Sequence, residues 1–96
     1  MLNHSLLNYI YTMAVLIKSD GSQHDYPEYD TLQGKQKAVG GYIEPVYFDD
    51  KVLLVNEEGL IHQLPVNDTA SSIAQQIIVG DCLLLTREEW NENNLV

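Results

Sequence analysis

The chain has 96 residues, of which 45% are hydrophobic and 20% charged, a composition that predicts a single folded globular domain. Its formal net charge of −9 argues against binding to a nucleic-acid backbone or an anionic membrane surface, because both require clustered Lys and Arg. The charge is uneven, since residues 52–96 hold seven acids against one base and carry −6. Two interpretations stay open: a surface that keeps the protein dispersed, and a surface that meets a basic partner, including one that imitates DNA.

Residues 1–13 are expected to form an extension or a short amphipathic helix, in which Leu2, Leu6 and Ile10 would share one face. The segment is too polar to span a bilayer and lacks the basic start of a signal peptide, so we expect neither a membrane nor a secretory segment. Cys82 is the single cysteine and lies in an apolar run, which is typical of a reduced, cytoplasmic protein.

The first half of the chain predicts two short strands, a helix and a third strand. An Asp-Gly pair ending at Gly21 is a strong hairpin signal. Asp30 or Thr31 caps the helix, and the glycine pair that starts at Gly40 ends it, because glycine readily adopts the left-handed backbone needed there. Pro45 gives the next strand an edge or bulged position. The predicted elements are strands at 14–18 and 23–26, a helix at 31–39 and a strand at 42–48.

The second half predicts a central strand, a turn, a return strand, a helix and a last buried strand. The continuous apolar run 52–55 indicates the central strand. Asn56 opens the turn, and Asn67 or Thr69 caps the helix. Thr86 begins a capping box for a short terminal helix. The predicted elements are strands at 51–55, 60–64 and 82–85, a helix at 70–78 and a terminal helix from 86, with residues 91–96 frayed.

This succession predicts an α+β fold. The order is ββαβββαβ plus a short C-terminal helix, with a mixed, mainly antiparallel sheet and two helices on one face. The predicted boundaries are an N-terminal extension or short helix at 1–13, the α+β domain at 14–86, and the C-terminal helix and tail at 87–96.

Four segments carry a resemblance to a known family. Val39-Gly40-Gly41-Tyr42-Ile43-Glu44, Val55-Asn56-Glu57-Glu58-Gly59, the Leu64-Pro65-x-Asn67 stretch and Val79-Gly80-Asp81 resemble a family of small domains of unknown function that is common on phages and plasmids. The resemblance runs from about Met13 to Leu85. It implies a cytoplasmic accessory protein acting in conflict between a mobile element and its host, and it implies no catalytic residues, since the family has none established.

The candidate site draws on three of these segments. Paired glycines let another backbone or a ligand come close, and Tyr42 and Glu44 share one face of a strand, so they suit stacking and hydrogen bonding. The alternative is that Tyr42 packs under a helix and that the two glutamates are merely solvated. The candidate ligand- or partner-binding residues are Gly40, Gly41, Tyr42, Glu44, Asn56, Glu57, Glu58 and Asn67.

We predict no metal, no cofactor and no catalytic residue. His62 has no ligand spacing around it, and Cys82 lies in a core-like run where a thiol is inert. The glycine pair follows a helix and precedes a strand, which is the reverse of a phosphate-binding arrangement.

Three functional hypotheses follow. The first is a non-enzymatic binding or interaction module, acting on an unknown and basic protein partner and inhibiting a host protein. The second is a sequestering binder of a nucleotide-like or amine ligand, held near Tyr42 and Asn56 between the protomers of a homodimer. The third, ranked last, is a small hydrolase using Glu58 and His62. The edge strand near Pro45 and the apolar N-terminal residues make a homodimer reasonable.

Overall fold

The structure, a computed structural model, describes residues 14–94, so the expectations for residues 1–13 and for the last two residues lie outside it. It contains a five-stranded sheet in the order β2-β1-β5-β4-β3, with every strand pair antiparallel. The strands are Val15–Ile17 (β1), Gln23–Asp25 (β2), Ile43–Phe48 (β3), Lys51–Asn56 (β4) and Cys82–Thr86 (β5). The helices are Leu32–Val39 (α1), Asp68–Ala74 (α2) and Arg87–Asn94 (α3), with a 3-10 helix at Pro27–Asp30. The α+β class is confirmed.

The central strands were predicted from continuous apolar runs, and the structure buries them on both faces. Val52, Leu53 and Leu54 of β4 are fully buried. Because strand side chains alternate, Val52 and Leu54 join one core cluster and Leu53 joins the other. A strand with two buried faces reads as an unbroken apolar run rather than as an alternation.

Helices cover both faces of this sheet. α1 and α3 pack on one face, where Ala38, Val39 and Trp90 meet the core, so two helices do share a face. The second predicted helix, α2, was expected beside α1 and instead covers the opposite face through Ala70 and Ala74. The apolar pattern of a helix predicts which of its sides is buried. It does not predict which face of the sheet that side will contact, and here only the structure shows it.

The ends of α1 follow local chemistry. Thr31 is the N-cap, and its Oγ1 accepts a hydrogen bond of 2.9 Å from the Gly34 amide. Gly34, which is unfavourable in a helix by propensity, is required because a Cβ there would collide with the Glu28 carbonyl oxygen. Gly40 ends the helix in the left-handed region, with φ of 77°, and its amide donates to the Gln36 carbonyl at 2.8 Å.

The return strand expected at 60–64 is replaced by turns. The His62 amide donates to the Glu58 carbonyl at 3.0 Å, and the Leu64 amide donates to the Gly59 carbonyl at 3.0 Å. Six strands were predicted, and the described residues form five. Outside these strands, one isolated antiparallel bridge joins Val66 to Val79. The neighbours Leu60 and Ile61 are both exposed, so no alternation buries one face of this segment.

The second helix is shorter than predicted. Gln75 adopts a left-handed φ of 56° and donates its amide to the Ser71 carbonyl, which ends α2 at Ala74. Ile77 and Ile78, which the spacing placed on the helix, lie beyond it. A non-glycine residue in this conformation carries no clear sequence signal, and the apolar spacing continued past it.

β3 lies at an edge of the sheet, as Pro45 indicated. The Glu57 amide donates to the Tyr42 carbonyl at 2.8 Å, so Tyr42 and every second residue after it bond inward to the neighbouring strand. The backbone of Pro45 therefore points away from β4, toward the free edge of the sheet. Because proline has no N–H, that edge lacks one hydrogen-bond donor. Among the described residues, no helix has the length and apolarity needed to cross a membrane.

Asn67 ties the layers together. Its side chain is fully buried, and its Oδ1 accepts from the Ala70 amide at 3.0 Å as the N-cap of α2. Its Nδ2 donates to the carbonyls of Ile17 and Gly80, both at 2.9 Å. One amide group thus forms hydrogen bonds with backbone groups at the end of β1, at the start of α2 and in the turn before β5.

We expect Asn67→Ala to lower the free energy of unfolding by about 2–4 kcal/mol, because it removes the helix cap and the two hydrogen bonds to the buried carbonyls of Ile17 and Gly80. Urea denaturation of the full chain measures the change. Ser72→Ala, on the exposed side of the same helix, is the control and should stay within about 0.5 kcal/mol of the unchanged protein. A loss below about 1 kcal/mol for Asn67→Ala would contradict the structural role of this side chain.

Candidate functional site

The glycine pair and Asn56 lie close together in the structure. Asn56 ends β4 and is 8% exposed. Its Nδ2 donates to the Val39 carbonyl at 3.1 Å, and its Oδ1 accepts from the Glu58 amide at 2.8 Å. A single side chain therefore joins the last turn of α1 to the loop after β4.

The two glycines serve different purposes. Gly40 has open space around its Cα and is needed for its left-handed φ. Gly41 is needed for space, because a Cβ on it would lie 2.9 Å from the Asn56 Nδ2. Moving the Asn56 side chain would cost free energy, because its amide nitrogen and oxygen each form a buried or half-buried hydrogen bond. The absence of a side chain at Gly41 is thus what allows the Asn56 contact.

The loop formed by residues 57–63, here called the anchored loop, is attached to the rest of the domain through its backbone. The Gly59 amide donates to the Asn56 carbonyl at 3.1 Å. Gly59 itself is buried, and a Cβ on it would lie 2.8 Å from the Val79 Cγ2. The backbone of the loop is therefore fixed, while the side chains of Glu57, Glu58, Leu60, Ile61, His62 and Gln63 are all exposed.

On one side of the anchored loop lies a hollow of about 270 Å³, here called the glycine cleft. Tyr42 is 66% exposed at its wall rather than packed under a helix. The His62 Nε2 and the Glu58 Oε1 are 3.2 Å apart, and both side chains are more than half exposed. A side-chain contact this exposed contributes about 0–1 kcal/mol. The cleft is lined by Gln36, Gly40, Gly41, Tyr42, Asn56, Glu58 and His62.

On the other side lies a groove of about 340 Å³, here called the apolar groove. Most of its lining residues are aliphatic, and its acidic groups are Glu44 and Glu57. Leu60 and Ile61 of the anchored loop form one lip, and Ile77 lies in the segment that forms the facing wall. The lining residues are Glu44, Val46, Val55, Asn56, Glu57, Gly59, Leu60, Ile61, Gln76, Ile77, Ile78 and Val79.

The candidate residues thus divide into three groups. Five of them, Gly40, Gly41, Tyr42, Asn56 and Glu58, line the glycine cleft. Glu44 and Glu57 line the apolar groove, which Asn56 also borders. Asn67 belongs to neither, because its buried amide is fully engaged in the core.

Sequence reasoning missed the exposure of the large apolar side chains at Leu60, Ile61 and Ile77. It paired Glu58 with His62 only in the hypothesis that it ranked last. Their four-residue spacing was an available signal, since that spacing brings side chains together on a helical turn. For the three aliphatic residues, apolar character indicated burial, which the structure does not give them.

Cys82 is chemically quiet. Its thiol is fully buried and donates to the Gly80 carbonyl at 3.3 Å. Burial and the nearby Asp81 carboxylate raise the pKa of the Cys82 thiol to about 12, against a small opposing effect of the Asn67 amide. Within residues 14–94, no three His, Cys, Asp or Glu side chains gather in a way that could hold a metal ion.

The fold and the site define a small α+β domain. The chain belongs to the family described as a domain of unknown function, DUF3846, whose profile matches residues 13–95. The family expected from the glycine and Val-Asn-Glu-Glu-Gly motifs is thereby confirmed at the level of a domain of unknown function. No curated protein and no solved structure matches the chain.

Gly41→Ala should lower the free energy of unfolding by about 1–3 kcal/mol, because the new methyl group displaces the Asn56 amide. In an Asn56→Ala background most of that cost should disappear, which gives a coupling energy of at least about 1 kcal/mol. Chemical denaturation of the two single variants and the double variant measures it.

Gly40→Ala is the matched control for this cycle. Its cost of about 1–2 kcal/mol comes from the left-handed backbone and should be the same with or without Asn56. Equal coupling of both glycines to Asn56, or none for Gly41, would refute the contact.

The raised pKa of Cys82 predicts a thiol that does not react in the native state. At pH 8 the thiolate fraction is on the order of 10⁻⁴, because the pKa lies about four units higher. Alkylation by iodoacetamide, followed by mass spectrometry, should label the protein in urea and leave the folded chain unmodified over the same time. At pH 9 the thiolate fraction rises about tenfold but stays on the order of 10⁻³, so native labelling should remain far below labelling in urea. Fast labelling of the folded chain would overturn the assignment.

Proposed function

We propose that this domain is a non-enzymatic interaction module and that it binds a partner protein through the anchored loop. The observation that carries the proposal is the contrast within the loop. Asn56 and Gly59 hold its backbone from a buried position, while Leu60 and Ile61 are 78% and 77% exposed.

Energetics support a binding role for this loop. An aliphatic side chain that covers no other protein surface loses the favourable free energy of burial, about 1.5–3 kcal/mol for a leucine or isoleucine. Single exposed aliphatic residues are common, but adjacent ones on a fixed backbone form the kind of patch that marks interaction sites. Because the backbone is already ordered, association through this loop costs little conformational entropy.

Charge supports a basic partner. The anchored loop contains Glu57 and Glu58 and no Lys or Arg, within a chain of net charge −9. A field of one sign raises the rate of encounter with a surface of the opposite sign. The proposal includes the setting implied by the resemblance: a cytoplasmic accessory protein of a phage or plasmid that inhibits a host protein.

The glycine cleft favours a second candidate, the sequestering of a small amine or nucleotide-like ligand beside Tyr42 and Asn56. Its volume of about 270 Å³ lies below the usual range of about 300–1,000 Å³ for ligand pockets, so this candidate ranks behind protein binding. The hydrolase hypothesis ranks last, since Glu58 and His62 sit in solvent and nothing in the cleft excludes water.

The proposal is tested by affinity capture with the full chain. Unchanged protein, Leu60→Ala/Ile61→Ala and Leu32→Ala are immobilised, and proteins captured from a lysate of the source organism are quantified by mass spectrometry. Leu32 is a matched control because it is 56% exposed and lies on α1, away from the loop. A specific partner should fall at least about tenfold on the double variant and persist on the control.

The same partner, once purified, should bind less tightly as salt rises from ~0.1 M to ~1 M, over which the Debye length falls from ~10 Å to ~3 Å. All the variants alter exposed side chains, so their unfolding free energies should stay within about 0.5 kcal/mol. If no captured protein distinguishes the double variant from Leu32→Ala, the loop is not the recognition element. Thermal stabilisation by a small amine or nucleotide, lost in Tyr42→Ala, would favour the second candidate instead.

A further inference from the structure

The three most exposed large apolar side chains of the described residues all line one groove. Leu60, Ile61 and Ile77 are 78%, 77% and 77% exposed, and each borders the apolar groove. They come from two segments that are separated along the chain. Two separate segments therefore place their least buried aliphatic side chains around the same hollow.

The exposure of Ile77 is imposed by fixed backbone. The left-handed Gln75 ends α2, and the Ser71 Oγ accepts a hydrogen bond of 2.9 Å from the Ile78 amide. Ile78 is thereby drawn into the core, where it is 5% exposed, and its neighbour Ile77 is left outside. The facing wall of the groove is thus as firmly positioned as the anchored loop.

The charge of the groove is one-sided. Glu44 and Glu57 lie among its lining residues, and none of the lining residues is Lys or Arg. Glu44 is exposed on the edge strand β3, and Glu57 is exposed at the start of the anchored loop. A ligand that fits this lining combines an aliphatic body with positive charge beside it.

The edge of the sheet limits how such a ligand can approach. Pro45 faces outward in the middle of β3 and offers no N–H to an added strand. A partner strand would therefore find a broken ladder at β3, and recognition must come from side chains in the groove rather than from strand addition.

We propose that the apolar groove binds an extended segment of a partner protein in which an aliphatic side chain is flanked by Lys or Arg. This rests on the proposed function and names the chemistry of its partner. The volume of about 340 Å³, at the low end for ligand pockets, suits one or two side chains. Residues 1–13 contain no Lys or Arg, and a second copy of this chain also carries −9, so neither supplies the matching charge.

The probe is a short synthetic peptide in which a leucine is flanked by arginines. Two matched peptides carry alanine for the leucine or neutral citrulline for the arginines. Each is titrated into the ¹⁵N-labelled full chain. We expect saturable shifts of the Leu60, Ile61 and Ile77 amides, with the Leu32 amide unchanged. Affinity should fall several-fold or more with either matched peptide.

Variants locate the binding energy. Ile77→Ala should weaken the probe at least about fivefold, whereas Leu32→Ala should not change it. Glu44→Gln/Glu57→Gln should weaken it at low salt and have less effect near ~1 M salt. Glu28→Gln/Asp30→Asn removes the same charge from an exposed site elsewhere and is the matched control.

The inference is overturned by no saturable shift, by shifts that map elsewhere, by equal affinity for the citrulline peptide, or by equal affinity of Ile77→Ala for the probe. It is also overturned if raising the protein concentration without peptide shifts the amide signals of the groove residues, because a second copy of the chain would then be the occupant. The proposed function fails separately. If Leu60→Ala/Ile61→Ala loses the captured partner while Ile77→Ala and Glu44→Gln/Glu57→Gln retain it, the module stands and the groove inference falls.

Discussion

The side-chain amide of Asn56 fixes the position of the anchored loop, which carries the proposed binding surface. Asn56 binds the Val39 carbonyl at the end of α1 and the Glu58 amide at the start of the anchored loop. Its position is available only because Gly41 has no side chain. The contact lies between the glycine cleft and the apolar groove, since Asn56 borders both. Without these two hydrogen bonds, the anchored loop would no longer be attached to α1. The side chain that lines both hollows would then not be held in place.

Asn56 and Asn67 show how burial separates two similar sequence signals. Both are asparagines next to turns, and the sequence assigned both to a recognition surface. Each side chain is buried and engages the backbone of distant segments. Asn67 is enclosed in the core, whereas Asn56 lies under an exposed loop and contributes to a surface indirectly. The chemistry of an asparagine indicates that its amide will be used, and only the fold determines whether solvent or a partner can approach.

The sequence predicted well wherever local chemistry decides the structure. The helix stop at Gly40 is confirmed, and so is the edge position that Pro45 indicated. Of the two predicted caps, Asp30 and Thr31, the structure uses Thr31. The failures occur where tertiary context decides. Residues 60–64 were predicted to form a strand from an alternation around Ile61 and Gln63, whereas the structure forms turns there. The face of the sheet that α2 covers depends on the path of the chain rather than on the apolar pattern. The sequence assigned Gly41 and Asn56 to one candidate site. It did not indicate that Ile77 lines the neighbouring groove, which the structure shows.

The wrong strand prediction at 60–64 is itself informative about function. Apolar residues normally leave a pattern that burial explains, and a sequence is consistent when pattern and burial agree. At Leu60, Ile61 and Ile77 they disagree, and the disagreement falls around one groove. Solubility accounts for an excess of acids, but it gives no reason to hold three aliphatic side chains in solvent on fixed backbone. The proposed partner, which would supply the opposite charge and cover the apolar surface, accounts for the acidic and the aliphatic groups together.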